Sequence, residues 1–431
     1  MWGTAAVLLS HRWLLWLHPL DWIGVPLPLS LPLCLTLWLL IGLLGGLLVS
    51  LWSGLMRALD PTRASTALIG AALWGLAEVL LAGGPLFWLG LGSSALPGDP
   101  ALAGLAAAVG AGGLAALQLL IGWCLWRGWR GGAPRQRMRP LGVALALVLT
   151  AHLAGAASLA AIDPQAGATE RLLLLQPAIP TREKFTPTQQ WNLLRQLADS
   201  QRAAAGVADS LVLPEGSLAL DQPLPEQTAV EVLSGGFRRQ GEQQRSSLLR
   251  FEPNRQTAQG WVDKHRLVPL GEWVPAAELL RWGGLSAVGG LQPGEASRLL
   301  RRPQGAIGVA ICYELADGRA LVQASREGAG WLLASANLDP YPQLLQDQFT
   351  ALARLRAIET GRWLVSAANT GPSLAVDARG HIRSRLPAGI AASTLVEIHR
   401  LQGRTLYSLW GEGPLLVIGM MGVVGRWWGR G

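Results

Sequence analysis

The chain reads as an α-helical transmembrane bundle joined to a layered α/β sandwich domain. Three observations carry that reading. Half of the 431 residues are hydrophobic and only 15% are charged, which with a mean hydropathy of +0.30 is too apolar for an ordinary soluble protein. The apolar excess lies in residues 1–162, where charges fall in short loops. Residues 170–400 instead alternate short apolar runs with amphipathic stretches, the signature of alternating strands and helices.

Within 1–162, about five segments are candidates to cross a bilayer, each needing about 20 apolar residues. They are 4–18, 29–55, 67–90, 101–126 and 140–161. The first is short and carries His11 and Arg12, yet it lacks the basic start and small-residue cleavage site of a signal peptide. Gly110, Gly112 and Gly113 allow close helix packing. Trp52, Trp74, Trp88, Trp123 and Trp126 fall near segment ends, where indoles favour the membrane interface. A last apolar stretch, 413–425 within the C-terminal piece 411–431, reads as a closing transmembrane helix with a short tail containing Arg426 and Arg430.

Loop charges set the expected orientation. Arg57 and Arg63 follow the second segment, and Arg127, Arg130, Arg135, Arg137 and Arg139 follow the fourth. The alternate links carry Asp21 and Asp99 and no Lys or Arg. The positive-inside rule puts the Arg-rich links in the cytoplasm and the 170–400 domain on the outer face. The net charge of +8 is thus a matter of topology, and nucleic-acid binding is not expected.

In 170–400, strands are expected at Arg171–Gln176, Ser210–Leu213, Ala306–Ile311, Trp331–Ala334, Trp363–Ala368 and Ser373–Val376. A hairpin is expected from Ser246–Phe251 and Thr257–Val262 around Pro253-Asn254. Thr188–Ala205 reads as an amphipathic helix with Trp191, Leu194 and Leu197 on its apolar stripe. Asp347–Thr360 reads as a helix capped by Gly361.

Of the three cysteines, Cys34 and Cys124 sit inside predicted spans, and neither a disulfide nor a metal site is suggested. Cys312 ends a buried-strand pattern, where a thiol is presented from a rigid element, as a nucleophile requires. Glu215 follows Leu211-Val-Leu-Pro, and Lys264 follows Trp261-Val-Asp. A carboxylate, an ammonium and a thiol thus stand at the ends of three apolar runs. A lone buried cysteine is more often packing, a Pro-Glu pair often just ends a strand, and Lys264-His265-Arg266 alone could be a solvated turn. Their joint occurrence favours chemistry.

In that order and at intervals of about 50 residues, Glu215, Lys264 and Cys312 resemble the nitrilase (carbon–nitrogen hydrolase) superfamily. The stretch Asp263-Lys-His-Arg-Leu-Val-Pro-Leu-Gly-Glu-Trp-Val-Pro275 resembles the lysine motif of bacterial apolipoprotein N-acyltransferases. So do Ile311-Cys-Tyr-Glu314, Ala353–Arg362 and Asn369-Thr-Gly371. The resemblance implies a nitrilase-like αββα sandwich at 170–400, facing the periplasm from a bacterial inner membrane, between an N-terminal bundle and one C-terminal helix. It implies Cys312 as nucleophile, Glu215 as general base and Lys264 as oxyanion stabiliser, supported by Glu272 and Glu314. Tyr313 and Phe185 become candidates for the substrate pocket. It implies a phospholipid acyl donor, a diacylglyceryl-modified apolipoprotein acceptor, a cysteine thioester between them and no cofactor, with a monomer as the default assembly. Three departures stand out. The bundle is about two helices shorter than the family's. Ser335-Ala-Asn-Leu-Asp-Pro340 lacks the family's aromatic pair, and Phe185 stands where the family has tryptophan.

Two rival functions fit parts of the sequence. A membrane-anchored amidase would use the same triad on a small amide, but has no need of so many spans. A non-catalytic membrane protein could keep the fold, but an intact Glu, Lys and Cys argues against it.

Overall fold

The computed structural model describes residues 1–21, 25–184, 186–269, 272, 290–339 and 341–428. Four of its helices are long and apolar enough to cross a membrane: α2 (Leu27–Ala58), α3 (Ala64–Ala82), α5 (Ala106–Arg130) and α6 (Pro134–Ala161). They correspond to the second through fifth expected segments, with the short α4 (Pro100–Gly104) leading into α5.

The expected first span, 4–18, is not one helix. It divides into α1 (Trp2–Ser10) and a 3-10 turn at Arg12–Leu17. The break falls at His11, whose imidazole bridges the Val7 and Phe87 carbonyls at 3.1 and 3.0 Å. The turn directs Trp13 and Leu14 into the core of the α/β domain. At the other end, after the short α10 (Leu406–Trp410), α11 (Gly413–Trp428) has 16 residues and is shorter than the four spanning candidates. Three bundle tryptophans tie helices and loops together. Trp52, Trp74 and Trp123 donate indole bonds to the Gly70 carbonyl, Glu78 and the Pro61 carbonyl, at 2.7–2.9 Å. Cys34 and Cys124 are buried and unpaired.

The described residues of the remaining chain form two six-stranded sheets, ordered β12-β1-β2-β3-β4-β5 and β11-β10-β9-β8-β7-β6. The first contains β1 (Ala168–Gln176), β2 (Ser210–Leu220), β3 (Glu231–Gln240), β4 (Gln243–Phe251), β5 (Gly260–Asp263) and β12 (Ala392–Arg400). The second contains β6 (Leu299–Leu300), β7 (Ile307–Ile311), β8 (Trp331–Ala336), β9 (Leu364–Ala368), β10 (Leu374–Val376) and β11 (Ile382–Arg385). β1–β2–β3 and β7–β8–β9 run parallel, and such strands, buried on both faces, read as continuous apolar runs. Leu172, Leu174, Val212 and Leu233 of one sheet meet Val309, Ile311, Leu333 and Val365 of the other. The opposite faces take helices. Helix α7 (Pro187–Ala204) covers the first sheet, and α8 (Gly318–Arg326) with α9 (Gln343–Thr360) covers the second. The layering is αββα.

Helix α7 corrects one detail. Its buried positions include Leu193, Leu197 and Ala204, while Trp191 is 60% exposed and lies under the Arg195 guanidinium at 3.9 Å. Arg195 packs over one face of the indole, and the rest of the ring stays in contact with the surroundings outside the core.

Helix α9 joins the two parts. Phe349, Leu352, Ala353 and Ala357 pack on the second sheet, while Leu355 and Ile358 pack against Ala103, Ala106, Ala107 and Leu114 of the bundle. It ends, as expected, with Gly361 in the left-handed conformation, φ 62°. Helix α5 breaks at Gly110, whose φ of 65° and ψ of 179° belong to a region open essentially to glycine alone. The freed Ala111 N–H donates to Glu359 of α9 at 2.8 Å, and the Tyr407 ring lies against the glycine. Gly110→Ala should therefore cost about 1–3 kcal/mol, read as a lower thermal midpoint of the detergent-purified protein. An unchanged midpoint would contradict this account of the joint.

Candidate active site

An irregularity inside β2 and the ends of β5 and β7 bring Glu215, Lys264 and Cys312 together on one edge of the sandwich. The register of β2 against β3 shifts between Leu213 and Leu218, so Pro214-Glu215-Gly216 leaves the ladder. Such irregularities re-aim side chains beside active sites. Lys264 follows the last residue of β5. Its N–H donates to the Ser246 carbonyl at 2.8 Å, and its carbonyl accepts from Gly294 at 2.8 Å. Cys312 follows the last residue of β7 and opens a 3-10 turn, Cys312–Ala316. Its φ is 55°, a strained value for a residue with a side chain, kept only where the surroundings impose it. The C-terminal edge of parallel strands is the usual place for α/β sites.

The side chains interlock around Lys264. Its Nζ donates to Glu215 Oε1 and to Glu272 Oε1, each at 2.7 Å, and the residue is 1% exposed. The other Glu272 oxygen accepts from the Val268 N–H at 2.9 Å. Burial alone would pull the Lys264 pKa down. The surrounding charges of Glu215 and Glu272 outweigh it and hold the ammonium well above the usual lysine range. Glu272 is pushed up, by burial first and then by Glu215, against the pull of Lys264. Burial also pushes the Cys312 thiol up; Glu215 and Glu272 add to this, and Lys264 only partly offsets it. At neutral pH the group is a thiol, so it needs a base that acts as it attacks.

Glu314 is a clamp. It accepts from the His265 and Arg266 N–H groups at 2.8 and 3.0 Å, from the Ile311 N–H at 2.9 Å, and from Arg298 on both oxygens at 3.1 Å. One buried carboxylate thereby fastens the lysine turn to the cysteine turn. His265 is structural, its Nδ1 lying 2.8 Å from the Gly294 carbonyl. Tyr313 is buried. Its hydroxyl donates to the Leu267 carbonyl at 2.9 Å, and its ring lies 4.6 Å from the Arg266 guanidinium. Phe185 lies outside the described residues, as does most of the lysine motif beyond Val268.

Two residues of the site escaped the sequence reading. Tyr341 packs against the same core as Cys312, and burial pushes its hydroxyl up. It stands edge-on to Trp13 at 5.5 Å. Lys184 donates to the Glu215 main-chain carbonyl at 3.0 Å. Tyr341 had a possible signal, as an aromatic just beyond the 335–340 segment that lacks them. Lys184 had none, since a lysine in a polar loop reads as solvated. Among the described residues no His, Cys, Asp or Glu group is arranged to hold a metal. The buried cluster of Arg302 with Glu231 and Glu170, at 2.5 and 2.9 Å, lies at the opposite strand ends and ties the two sheets together.

Residues 199–400 match the carbon–nitrogen hydrolase family. The chain is 50% identical to an apolipoprotein N-acyltransferase of Prochlorococcus marinus (strain MIT 9313), over 99% of this chain and 87% of that protein. It is 51% identical to one of Parasynechococcus marenigrum (strain WH8102), over 95% and 88%. A Nostoc sp. (strain PCC 7120) apolipoprotein N-acyltransferase is 29% identical over 96% and 86%. Among solved structures, Saccharomyces cerevisiae Nit3, a member of branch 10 of the nitrilase superfamily, aligns over 57% of this chain and 95% of its own, at 17% identity and a TM-score of 0.42.

Two outcomes follow from the geometry. With Cys34 and Cys124 replaced by alanine, the rate of Cys312 alkylation should keep climbing with pH beyond about 9, because the thiol is raised above the ordinary cysteine value of about 8.5; a plateau near neutrality would contradict the buried-thiol reading. Glu314→Ala strands the buried Arg298 charge and should lower stability by about 3–5 kcal/mol, again seen as a fall in thermal midpoint.

Proposed function

The chain belongs to the apolipoprotein N-acyltransferase family, and on that footing we propose that Glu215, Lys264 and Cys312 transfer an acyl chain through a cysteine thioester. The protein is a membrane acyltransferase acting on apolipoproteins. The observation that most favours the triad is the Lys264 ammonium, withdrawn from water and bonded to Glu215 at 2.7 Å, beside the strained Cys312 turn.

The donor we propose is a phospholipid. Glu215 takes the Cys312 thiol proton as the sulfur attacks the ester carbonyl carbon. Lys264 lies where the oxyanion forms, as a fixed charge that needs no reorganisation. When the tetrahedral intermediate collapses, the glycerol oxygen leaves with the proton from Glu215. A lysophospholipid departs and the thioester remains. The acceptor we propose is the α-amine of a diacylglyceryl-cysteine at a lipoprotein N-terminus. That amine attacks the thioester carbon and gives a proton to Glu215. Collapse expels the Cys312 sulfur, which regains the proton. The net exchange is ester plus amine to amide plus alcohol, and the enzyme returns to its starting state.

Glu272 shares the lysine with Glu215, and its carboxyl is pushed up. We assign it the role of keeping Lys264 aimed when Glu215 exchanges its proton. Glu314 holds the two turns in register and touches no reacting atom. Tyr313 and Phe185 remain proposed pocket residues. Arg-rich loops at one end of the bundle support a catalytic domain outside a bacterial inner membrane, where both lipid substrates are held; we propose a monomer.

The test uses purified protein, a phospholipid and a diacylglyceryl lipopeptide. The peptide should gain one acyl chain on its amine. Cys312→Ala should abolish the gain, and Glu215→Gln and Lys264→Ala should each lower it at least about 100-fold, in the range seen when positioned acid–base or oxyanion groups are lost. Full activity in Cys312→Ala would overturn the mechanism. Cys312-dependent cleavage of a small amide, with no lipopeptide product, would point to an amidase instead.

A further inference from the structure

Next to Glu215 lies a second lysine with no role in the steps above. Lys184 is 6% exposed and sits in the segment between β1 and α7. Its ammonium donates to the Glu215 carbonyl at 3.0 Å. The charges of Glu215 and Asp339 act on it. A desolvated ammonium is costly, so Lys184 is poor core filler; a methionine of similar length would occupy the same space at less cost.

The loops around Lys184 are strained and heavily tied. Ala178 and Leu338 have φ of 53° and 57°, although neither is glycine. Such conformations persist where the surroundings over-determine them, often around functional sites. The ties are specific. Asn369 Nδ2 donates to the Ile179 carbonyl and to Asn337 Oδ1, both at 2.7 Å. Asn337 Nδ2 donates to Thr181 Oγ1 at 2.6 Å. The Thr181 N–H donates to Asp339 Oδ2 at 2.7 Å. The segment carrying Lys184 and the segment leading to Tyr341 are thus one polar unit, and Lys184 connects it to the turn that bears the base.

We propose that Lys184 is a positioning residue for acyl transfer: it fixes the Pro214–Gly216 turn through the Glu215 carbonyl, so that the Glu215 carboxylate stays aimed at Lys264. This rests on the reading of Glu215 as the base. The ammonium makes a charge-assisted bond, stronger than a neutral amine would make. Burial lowers its pKa to about 8, with Glu215 and Asp339 pulling it back up. The residue is therefore charged at neutral pH and loses its charge as pH rises through about 8. An arginine in its place stays charged throughout.

The experiment compares the full-length wild type, Lys184→Met and Lys184→Arg in the lipopeptide assay, at pH values on both sides of 8. Taking the ratio of each variant to wild type at each pH cancels the titration of the acceptor amine and of Cys312. Lys184→Met should lower kcat about tenfold or more, with the phospholipid KM unchanged and a thermal midpoint no lower than wild type. The Lys184→Arg to wild-type ratio should rise as pH passes 8. Wild-type kcat in Lys184→Met would overturn the proposal. Should Lys184→Met fail to fold, Lys184→Gln, which cannot supply the charge, is read in the same way, and wild-type kcat there would overturn it. Activity that survives Cys312→Ala would show that the triad reading itself had failed, and the positioning role would fall with it.

Discussion

An ammonium held out of water between two carboxylates is the constraint around which the α/β domain is arranged. A buried ion carries a desolvation cost of several kcal/mol, offset only when its partners are close and well aimed. The fold supplies those partners from separate elements: Glu215 from an irregularity in β2 and Glu272 from the chain beyond Lys264. Glu314 then locks the lysine turn to the cysteine turn with bonds to three backbone N–H groups and one guanidinium. The proposed chemistry depends on these bonds because the thiol, pushed up by the same burial, is not ionised unaided at neutral pH.

That burial comes partly from the membrane portion. The outer core of the second sheet is continuous with Trp13, Trp38, Ile41, Phe87 and Leu89, and Cys312 packs against it. Trp13 lies edge-on to Phe87 at 5.9 Å and to Tyr341 at 5.5 Å, and Phe87 stacks on Phe349 at 5.6 Å. An aromatic bridge therefore runs from the bundle to the loop beside the thiol. Such a setting excludes water, which a thioester intermediate would need if it is to wait for an amine. The first segment takes part in this: the turn that divides 4–18 delivers Trp13 and Leu14 to the same core.

What the sequence disclosed divides along physical lines. Parallel strands buried on both faces announce themselves as apolar runs, so β1, β2, β7, β8 and β9 were legible, as were α9 and its Gly361 cap. β3 was missed because Glu231–Gln240 contains two glycines and a charged end. The edge strands β11 and β12 were missed because exposed residues interrupt their apolar pattern. Glu215, Lys264 and Cys312 were legible because each follows a readable strand and their order matches a family pattern. Lys184 and Tyr341 were not, because their places depend on loops brought together by Asn337, Thr181 and Asn369 across more than 150 residues of sequence. The stripe of α7 was misassigned at Trp191 because periodicity cannot tell an exposed indole stacked by a neighbouring arginine from one in the core.

The most direct test of the central claim is the intact mass of the purified protein after incubation with phospholipid alone, followed by peptide mapping. The account predicts a hydroxylamine-labile gain of one fatty acyl group, located on Cys312 and absent from Cys312→Ala. An enzyme that acylates a lipopeptide while never carrying that adduct, or that carries it on another residue, would contradict it.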